Sequence, residues 1–408
     1  MSSFALLGCL VIGFFASAQG RSRRTEPEDS LMVKAKQLAR EFIIIDTHID
    51  APERMLENEE NLSIRTAADF DFVKAREGGL KCGFMAIYVP ASYQKTGGAR
   101  AYAERLIAMV EGWIARWPDK FVLVSSPSDV IAQSGTDKIS LAMGMENAVA
   151  IEDDVRSLRH FYDEGIRYIT LTHSKDNQIC DSSFDTTGTW KGLSPFGRKV
   201  VEEMNRVGIM VDVSHISDSA FYQVMRVTRA PVIASHSSCR SFTPGLERNM
   251  SDDMIKLLAA NGGVIQINFG SFFLDDDYRT AGDKMRKAID EDLKQRGISP
   301  NDSAGREYAA SYRRQHPVTS PDVSIVAAHI DHVVKLVGVD FVGLGSDFDG
   351  LGDNLPTGLK DASCYPNLID ELLKKGYTEE DLRKICSGNL LRVWSDVENV
   401  AMKLQKRK

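Results

Sequence analysis

The stretch Gly192–His215, GLSPFGRKVVEEMNRVGIMVDVSH, decides the fold. It opens on Ser194-Pro195, a capping residue followed by a proline where the first helical turn tolerates one, runs through an amphipathic period and stops at Gly208. An apolar, β-branched run from Gly208 to Val213 follows at once and ends in Ser214-His215. Helix, buried strand and polar lip in that order make the unit of a parallel sheet covered on its face by helices, and not of a sandwich.

Outward from this unit the same grammar recurs. Further strands are expected at Phe42–Asp46, Leu80–Val89, Ser140–Met145, Arg167–Thr172, Pro231–Ser235, Gly263–Asn268 and Phe341–Ser346, which with Gly208–Val213 makes eight. Eight is the number that closes a (β/α)8 barrel, so the fold class is α/β, a TIM-like barrel. The run FVLV at Phe121–Val124 is a ninth candidate, read as an accessory strand. Helices are expected at Ser251–Ala260, with a Ser and two acids at its start, and at Thr378–Cys386. Residues 270–325, after the seventh barrel strand, are charged, rich in Tyr and weak in apolar period, which reads as a helical insertion over the mouth of the fold. No repeat, low-complexity tract or linker divides the chain, so residues 19–408 are expected to form one domain.

Composition removes other classes. The 408 residues carry 50 Lys+Arg against 57 Asp+Glu, a net charge of −7, with 43% hydrophobic residues. A chain of this size buries a large core without metals or disulfides merely to fold, and its mild acidity gives little to hold a nucleic-acid backbone. Residues 4–18 (FALLGCLVIGFFASA) are uncharged and end in Ala16-Ser17-Ala18. Such a run is too short to span a bilayer and has the form of a signal peptide over residues 1–18, so the expectation is an exported (periplasmic or secreted) protein without a membrane span. Cleavage leaves Cys82, Cys180, Cys239, Cys364 and Cys386, an odd number with no zinc or redox spacing, read as buried or free thiols.

The histidines and acids lift the sequence above a generic barrel. His48 and Asp50 fall after the first strand, Glu146 after the third, His173 after the fourth, His215 after the fifth, His236 after the sixth and Asp347 after the eighth. In a parallel barrel the C-terminal strand ends meet at one mouth, so residues far apart in sequence reach one ion. Each signal alone is modest: a His-x-Asp also caps ordinary strands, and Glu146 could simply be a polar exit. The Ser-His lips of VDVSH and VIASHS on consecutive strands are harder to explain by packing, because a buried His still needs polar partners. His173 could be a ligand, a proton donor or structural, and Asp349 a turn residue. His160, His316, His329 and His332 fall on helices or the insertion and read as surface or packing residues, and Cys239 as structural. Two divalent cations sharing a hydroxide would bring water's pKa toward neutrality and polarise a carbonyl, with a carboxylate moving the proton, and zinc suits mixed His and carboxylate ligands.

The ordered motifs IDTHID, GMENA, RYITLTHS, GLSPFGRKVVEEMNRVGIMVDVSH, PVIASHSS, RNMSDD and GLGSDFDG, spread over residues 40–395, resemble the membrane (renal) dipeptidases, peptidase family M19, in their bacterial form. The resemblance implies a distorted amidohydrolase-like barrel with two Zn2+ ions that hydrolyses dipeptides, with tolerance for a D-residue at the C-terminal position. His48 and Asp50 would hold one zinc, Glu146 and a water or hydroxide would bridge the pair, and His215 and His236 would hold the second. Asp347 would shuttle the proton, His173 would bind substrate and stabilise the oxyanion, and Arg248 would pair with the dipeptide carboxylate. A homodimer is implied as well. The family's mammalian cysteine after THS is Lys175 here, and the basic end AMKLQKRK lacks an apolar anchor tail, so neither that cross-link nor a lipid anchor is carried over. Two other readings stand beside it: a binuclear barrel hydrolase of N-acyl amino acids or other amides and esters, and a non-catalytic exported binding protein.

Overall fold

In the computed structural model, which describes Met1 and residues 30–406, nine strands run parallel. They are β1 (Ile44–Ile49), β2 (Leu80–Tyr88), β3 (Phe121–Leu123), β4 (Ile139–Glu146), β5 (Ile166–Thr170), β6 (Met210–Asp212), β7 (Ile233–Ser237), β8 (Val264–Ile267) and β9 (Val342–Leu344). Eight follow the order β1-β2-β4-β5-β6-β7-β8-β9, and β3 pairs with β4 alone. β3 lies along Ile139–Leu141 of β4 and β5 along Met143–Glu146, so the accessory strand fills the lower part of a ladder whose upper part belongs to β5.

The ring closes at its mouth. The Asp347 N–H donates to His48 O at 3.0 Å and the Asp50 N–H to Phe348 O at 2.8 Å, beyond the end of β9. Thr47 Oγ1 donates to Leu344 O at 3.0 Å, which ties β1 to β9 lower down. The result is a nearly closed, distorted (β/α)8 barrel, as the pattern of alternating units predicts.

The expected helix grammar holds. In Pro195–Val207 the Ser194 hydroxyl accepts the Gly197 N–H at 2.8 Å, Val200, Val201, Met204 and Val207 are buried, and Gly208 ends the helix with φ +100°. The main apolar layer lies between strands and outer helices. A second cluster takes Ile45, Phe84, Ala142, Tyr168, Met210, Ile233 and Val264 from seven barrel strands and packs them on Leu390, Val393 and Trp394 of the C-terminal helix Asn389–Gln405. That helix seals one end of the barrel and leaves the other for chemistry.

β1 differs from its expected span by running on through His48 to Ile49. The reason is that its polar residues are satisfied inside the fold: Asp46 accepts the Ser346 N–H at 2.9 Å and the Tyr365 hydroxyl at 2.5 Å, so burial does not end the strand there. The insertion forms helices Ser271–Leu274, Asp276–Arg296 and Ser303–Gln315, with only Ile289 and Leu293 of the second one buried. Its root reaches the mouth, where Phe273 lies 5.5 Å from the Arg248 guanidinium carbon. The five cysteines of the described residues are free thiols, and His329 is a packing residue whose Nδ1 accepts the Cys239 N–H at 3.1 Å. Among the described residues no helix is long and apolar enough to cross a membrane. The apolar run at 4–18, with its expected signal, lies outside them.

Candidate metal centre and substrate site

Seven of the residues singled out above meet at the open end, and Glu146 is their centre. It is the last residue of β4, and its two carboxylate oxygens point to different partners. Oε2 lies 3.5 Å from His48 Nε2, while Oε1 lies 3.0 Å from His215 Nε2 and 3.3 Å from His236 Nε2. His48 Nε2 is also 3.6 Å from Asp50 Oδ2. Three sets of ligand atoms are close enough to share an ion: His48, Glu146 and His236; Glu146, His173 and His215; and His48, Asp50 and Asp347.

The donor set fits metal ions better than it fits itself. Among the described residues His48 Nε2 is buried without a hydrogen-bond partner, and the Nε2 atoms of His215 and His236 face each other at 2.8 Å, although two neutral imidazoles offering lone pairs would repel. Burial, then His48 and Arg248, pushes His236 down to about 3, and burial with Arg248 and His173 holds His215 well below the usual imidazole range, so both rings stay neutral. Burial would raise Glu146, yet the surrounding His173 and His48 together with hydrogen bonds from His215 and His236 hold it well below the usual carboxylate range. The neutral rings of His215 and His236 beside an ionised, two-sided carboxylate are ligands of the kind that zinc-like ions take.

The rings are aimed by residues that sequence reading passed over. Asp212, the last residue of β6, is fully buried and accepts the N–H groups of Ser214 and Ser235 at 3.0 and 2.8 Å, the Ser235 hydroxyl at 2.6 Å and the Thr170 hydroxyl. Because Ser235 Oγ spends its proton on Asp212, its 2.7 Å contact with His236 Nδ1 requires that nitrogen to carry the hydrogen. The Nε2 of His236 is thereby left as a lone pair facing the cluster. His48 is held from behind at 2.8 Å by the Tyr168 hydroxyl, and Gly144 makes room for that phenol, since a Cβ there would meet the ring at 2.0 Å. Both Asp212 and Tyr168 stand in quoted motifs, VDVSH and RYITLTHS, but a strand residue gives no sign in sequence of which ring it will face.

Asp347 sits after β9, and its Oδ2 accepts Asn268 Nδ2 at 2.8 Å. Burial raises its pKa, with Asp50 adding to the effect. The carboxylates of Asp50 and Asp347 face each other across the closure, and Gly350 lies against both. Asn147, His215, Asp347 and Asp349 all take positive φ, between 65° and 69°, which non-glycine residues adopt at strained, functional positions. Asp349 is aimed elsewhere, at Arg54 Nε (3.1 Å) and the Asp69 N–H (2.7 Å), and so belongs to the wall.

Arg248 is 4% exposed and reaches the cluster from the side of β6 and β7, donating from Nη1 to Ser237 Oγ at 2.8 Å and from Nη2 to His236 O at 2.6 Å, with Nη2 3.1 Å from His215 Nε2. Its Nε has no partner among the described residues. A buried guanidinium with a free donor beside a cluster of ligands suits a carboxylate. His173 lies at the rim, its Nε2 3.7 Å from Glu146 Oε1, its ring edge-on to Tyr88 at 4.7 Å and its Nδ1 unpartnered among the described residues.

The sequence matches a family model described as membrane dipeptidase (peptidase family M19) over residues 32–408. It is 32% identical over 383 residues to Dipeptidase 3 of Rattus norvegicus, in an alignment that takes in 91% of this chain and 69% of that protein. The solved structure of "the probable dipeptidase PvdM" of Pseudomonas aeruginosa shares the fold with a TM-score of 0.81 and 27% identity, covering 92% of this chain and 100% of that one. Dipeptidase AC, a metallopeptidase of family M19, does so with a TM-score of 0.72 and 26% identity, covering 87% and 98%.

Proposed function

Because the chain belongs to the membrane dipeptidase family, peptidase family M19, we propose that it is a two-zinc dipeptidase with His48, Asp50, Glu146, His215 and His236 as ligands. The observation that carries this reading is the Glu146 carboxylate, one oxygen turned to His48 and the other to His215 and His236. Zinc held there supplies Lewis acidity, bringing the pKa of water toward neutrality and polarising the scissile carbonyl.

The chain's own groups do the rest. Arg248 binds the free C-terminal carboxylate and so limits substrates to those with one near the scissile bond. His173, at the rim with an unpartnered nitrogen, donates to the carbonyl oxygen as charge builds on it. Asp347, held by Asn268 at one oxygen, takes a proton from water and passes it to the departing amine. Tolerance for a D-residue at the C-terminal position is part of the proposal, read by comparing L-Ala-D-Ala with L-Ala-L-Ala. Export and a homodimer complete the proposal, read by N-terminal sequencing of the secreted protein and by light scattering.

Elemental analysis of the purified protein, with hydrolysis of L-Ala-D-Ala and L-Ala-L-Ala before and after chelation, tests the reading. Two zincs per chain and chelator-sensitive cleavage of both dipeptides are expected. Turnover of N-acyl amino acids or esters without dipeptide cleavage would replace it with another binuclear hydrolase, and binding without any turnover would leave an exported binding protein.

A further inference from the structure

The helix Ala51–Glu57 starts one residue beyond Asp50, and its first turn carries Glu53, whose N–H donates to Asp50 O at 3.1 Å. Glu53 is half-buried, yet it forms no hydrogen bond or ion pair through its side chain with any described residue. The neighbouring cation is committed elsewhere: Arg54 pairs with Glu60 at 2.6 Å and with Asp349 at 3.1 Å. The charged groups it does feel are carboxylates. Burial, then Glu146 and Glu57, raises it to about 7. Glu53 in turn acts on the phenols of Tyr88 and Tyr102, the first of which lies edge-on against His173. Glu53 therefore stands in the first turn of a helix that leaves the end of β1 and packs against β2, a half-buried carboxylate for which the described residues supply no compensating cation.

The placement suggests what compensates it. Arg248 lies on the β6 and β7 side of the cluster, against His215 and His236. Glu53 follows β1, on the side of His48 and Asp50. A dipeptide whose carboxylate rests on Arg248 and whose scissile carbonyl rests over Glu146 carries its N-terminal residue toward β1 and β2. We propose that Glu53 is a specificity-determining residue that receives an ammonium on the substrate's N-terminal residue. This rests on the dipeptidase reading. Either of two ammonium groups meets the chemistry, the α-amino group or a basic side chain, and the test separates them.

Glu53→Gln removes the charge and keeps the shape, and Glu53→Asp keeps the charge and shortens the arm. The metal-loaded full-length wild type and both variants are assayed with Ala-Ala, Lys-Ala and norleucyl-Ala, with thermal unfolding as the check on the fold. The expected result for Glu53→Gln is a KM raised at least fivefold with kcat within twofold, and a smaller rise for Glu53→Asp. A rise for all three substrates assigns the α-amino group, and a rise for Lys-Ala alone assigns the side chain. A KM within twofold of wild type on every substrate overturns the proposal. If the wild type cleaves none of the three, the dipeptidase reading fails by itself. Calorimetry with non-cleavable phosphinate analogues of Ala-Ala and Lys-Ala then still reads the anchor: at least fivefold weaker binding to Glu53→Gln sustains it, and equal affinities overturn it.

Discussion

Replacing Ser235 by Ala removes one oxygen that lies between Asp212 and His236, at 2.6 and 2.7 Å. Asp212 keeps the N–H groups of Ser214 and Ser235 and the Thr170 hydroxyl, so the strand ends stay tied. The His236 Nδ1–H loses its acceptor. In the metal-free protein the ring escapes by moving its proton to Nε2, which faces Glu146 Oε1 at 3.3 Å. Metal binding at Nε2 forbids that escape and forces a buried N–H to go unpaired, a penalty of about 1–3 kcal/mol. Since ~1.4 kcal/mol is tenfold in an equilibrium constant, zinc affinity falls by roughly 5- to 150-fold, a range that overlaps the 10–100-fold cost typical of groups behind a ligand. Competition with a chromogenic chelator measures it. Thr170→Val, which takes a different donor from Asp212, serves as the control and should shift affinity less. A Ser235→Ala affinity within threefold of wild type would refute the claim that Ser235 sets the tautomer.

Three further outcomes are expected. Asp347→Asn keeps Asn268 as a neighbour and zinc in place but lowers kcat by about 10²–10⁴-fold; unchanged turnover with normal metal content would show that another group moves the proton. Gly350→Ala brings a Cβ to 2.2 Å from Asp50 Oδ2 and 2.6 Å from Asp347 Oδ1, so metal content should drop by elemental analysis while the circular dichroism of the barrel persists. Burial pushes His329 down to about 4, below its unfolded value near 6.5, so the unfolded state binds the extra proton and stability present above pH 6.5 is lost as pH falls toward 4. Urea titrations of the chelated protein should show the stability gap between wild type and His329→Gln shrinking by up to about 3 kcal/mol over that window; a gap independent of pH would mean that His329 is not held neutral.

The fold was legible because each barrel unit announces itself locally: a capped amphipathic helix, a glycine stop and a short buried run are consequences of neighbouring residues. The end of β1 is set non-locally: the strand runs on past the buried Asp46 to Ile49, and beside the nearby His48 N–H that carboxylate is satisfied by Ser346 and Tyr365, some 300 positions away. The same contrast runs through the site. His48, Asp50, Glu146, His215, His236 and Asp347 stood out as polar residues on strand lips, and parallel topology explains why such lips meet. Asp212, Tyr168 and Glu53 did not stand out, because each matters through what it faces.

By itself, then, the sequence determined the eight-unit barrel, the family and the set of candidate ligands, all of which follow from local periodicity and from short motifs in order. Only the tertiary structure decided which oxygen of Glu146 faces which histidine, which ring nitrogen of His236 is left free and that the Glu53 side chain has no partner among the described residues. Those are properties of pairs of groups brought within about 3–4 Å by the closing of the barrel, and the interaction of such groups depends on direction and burial that residue order does not encode.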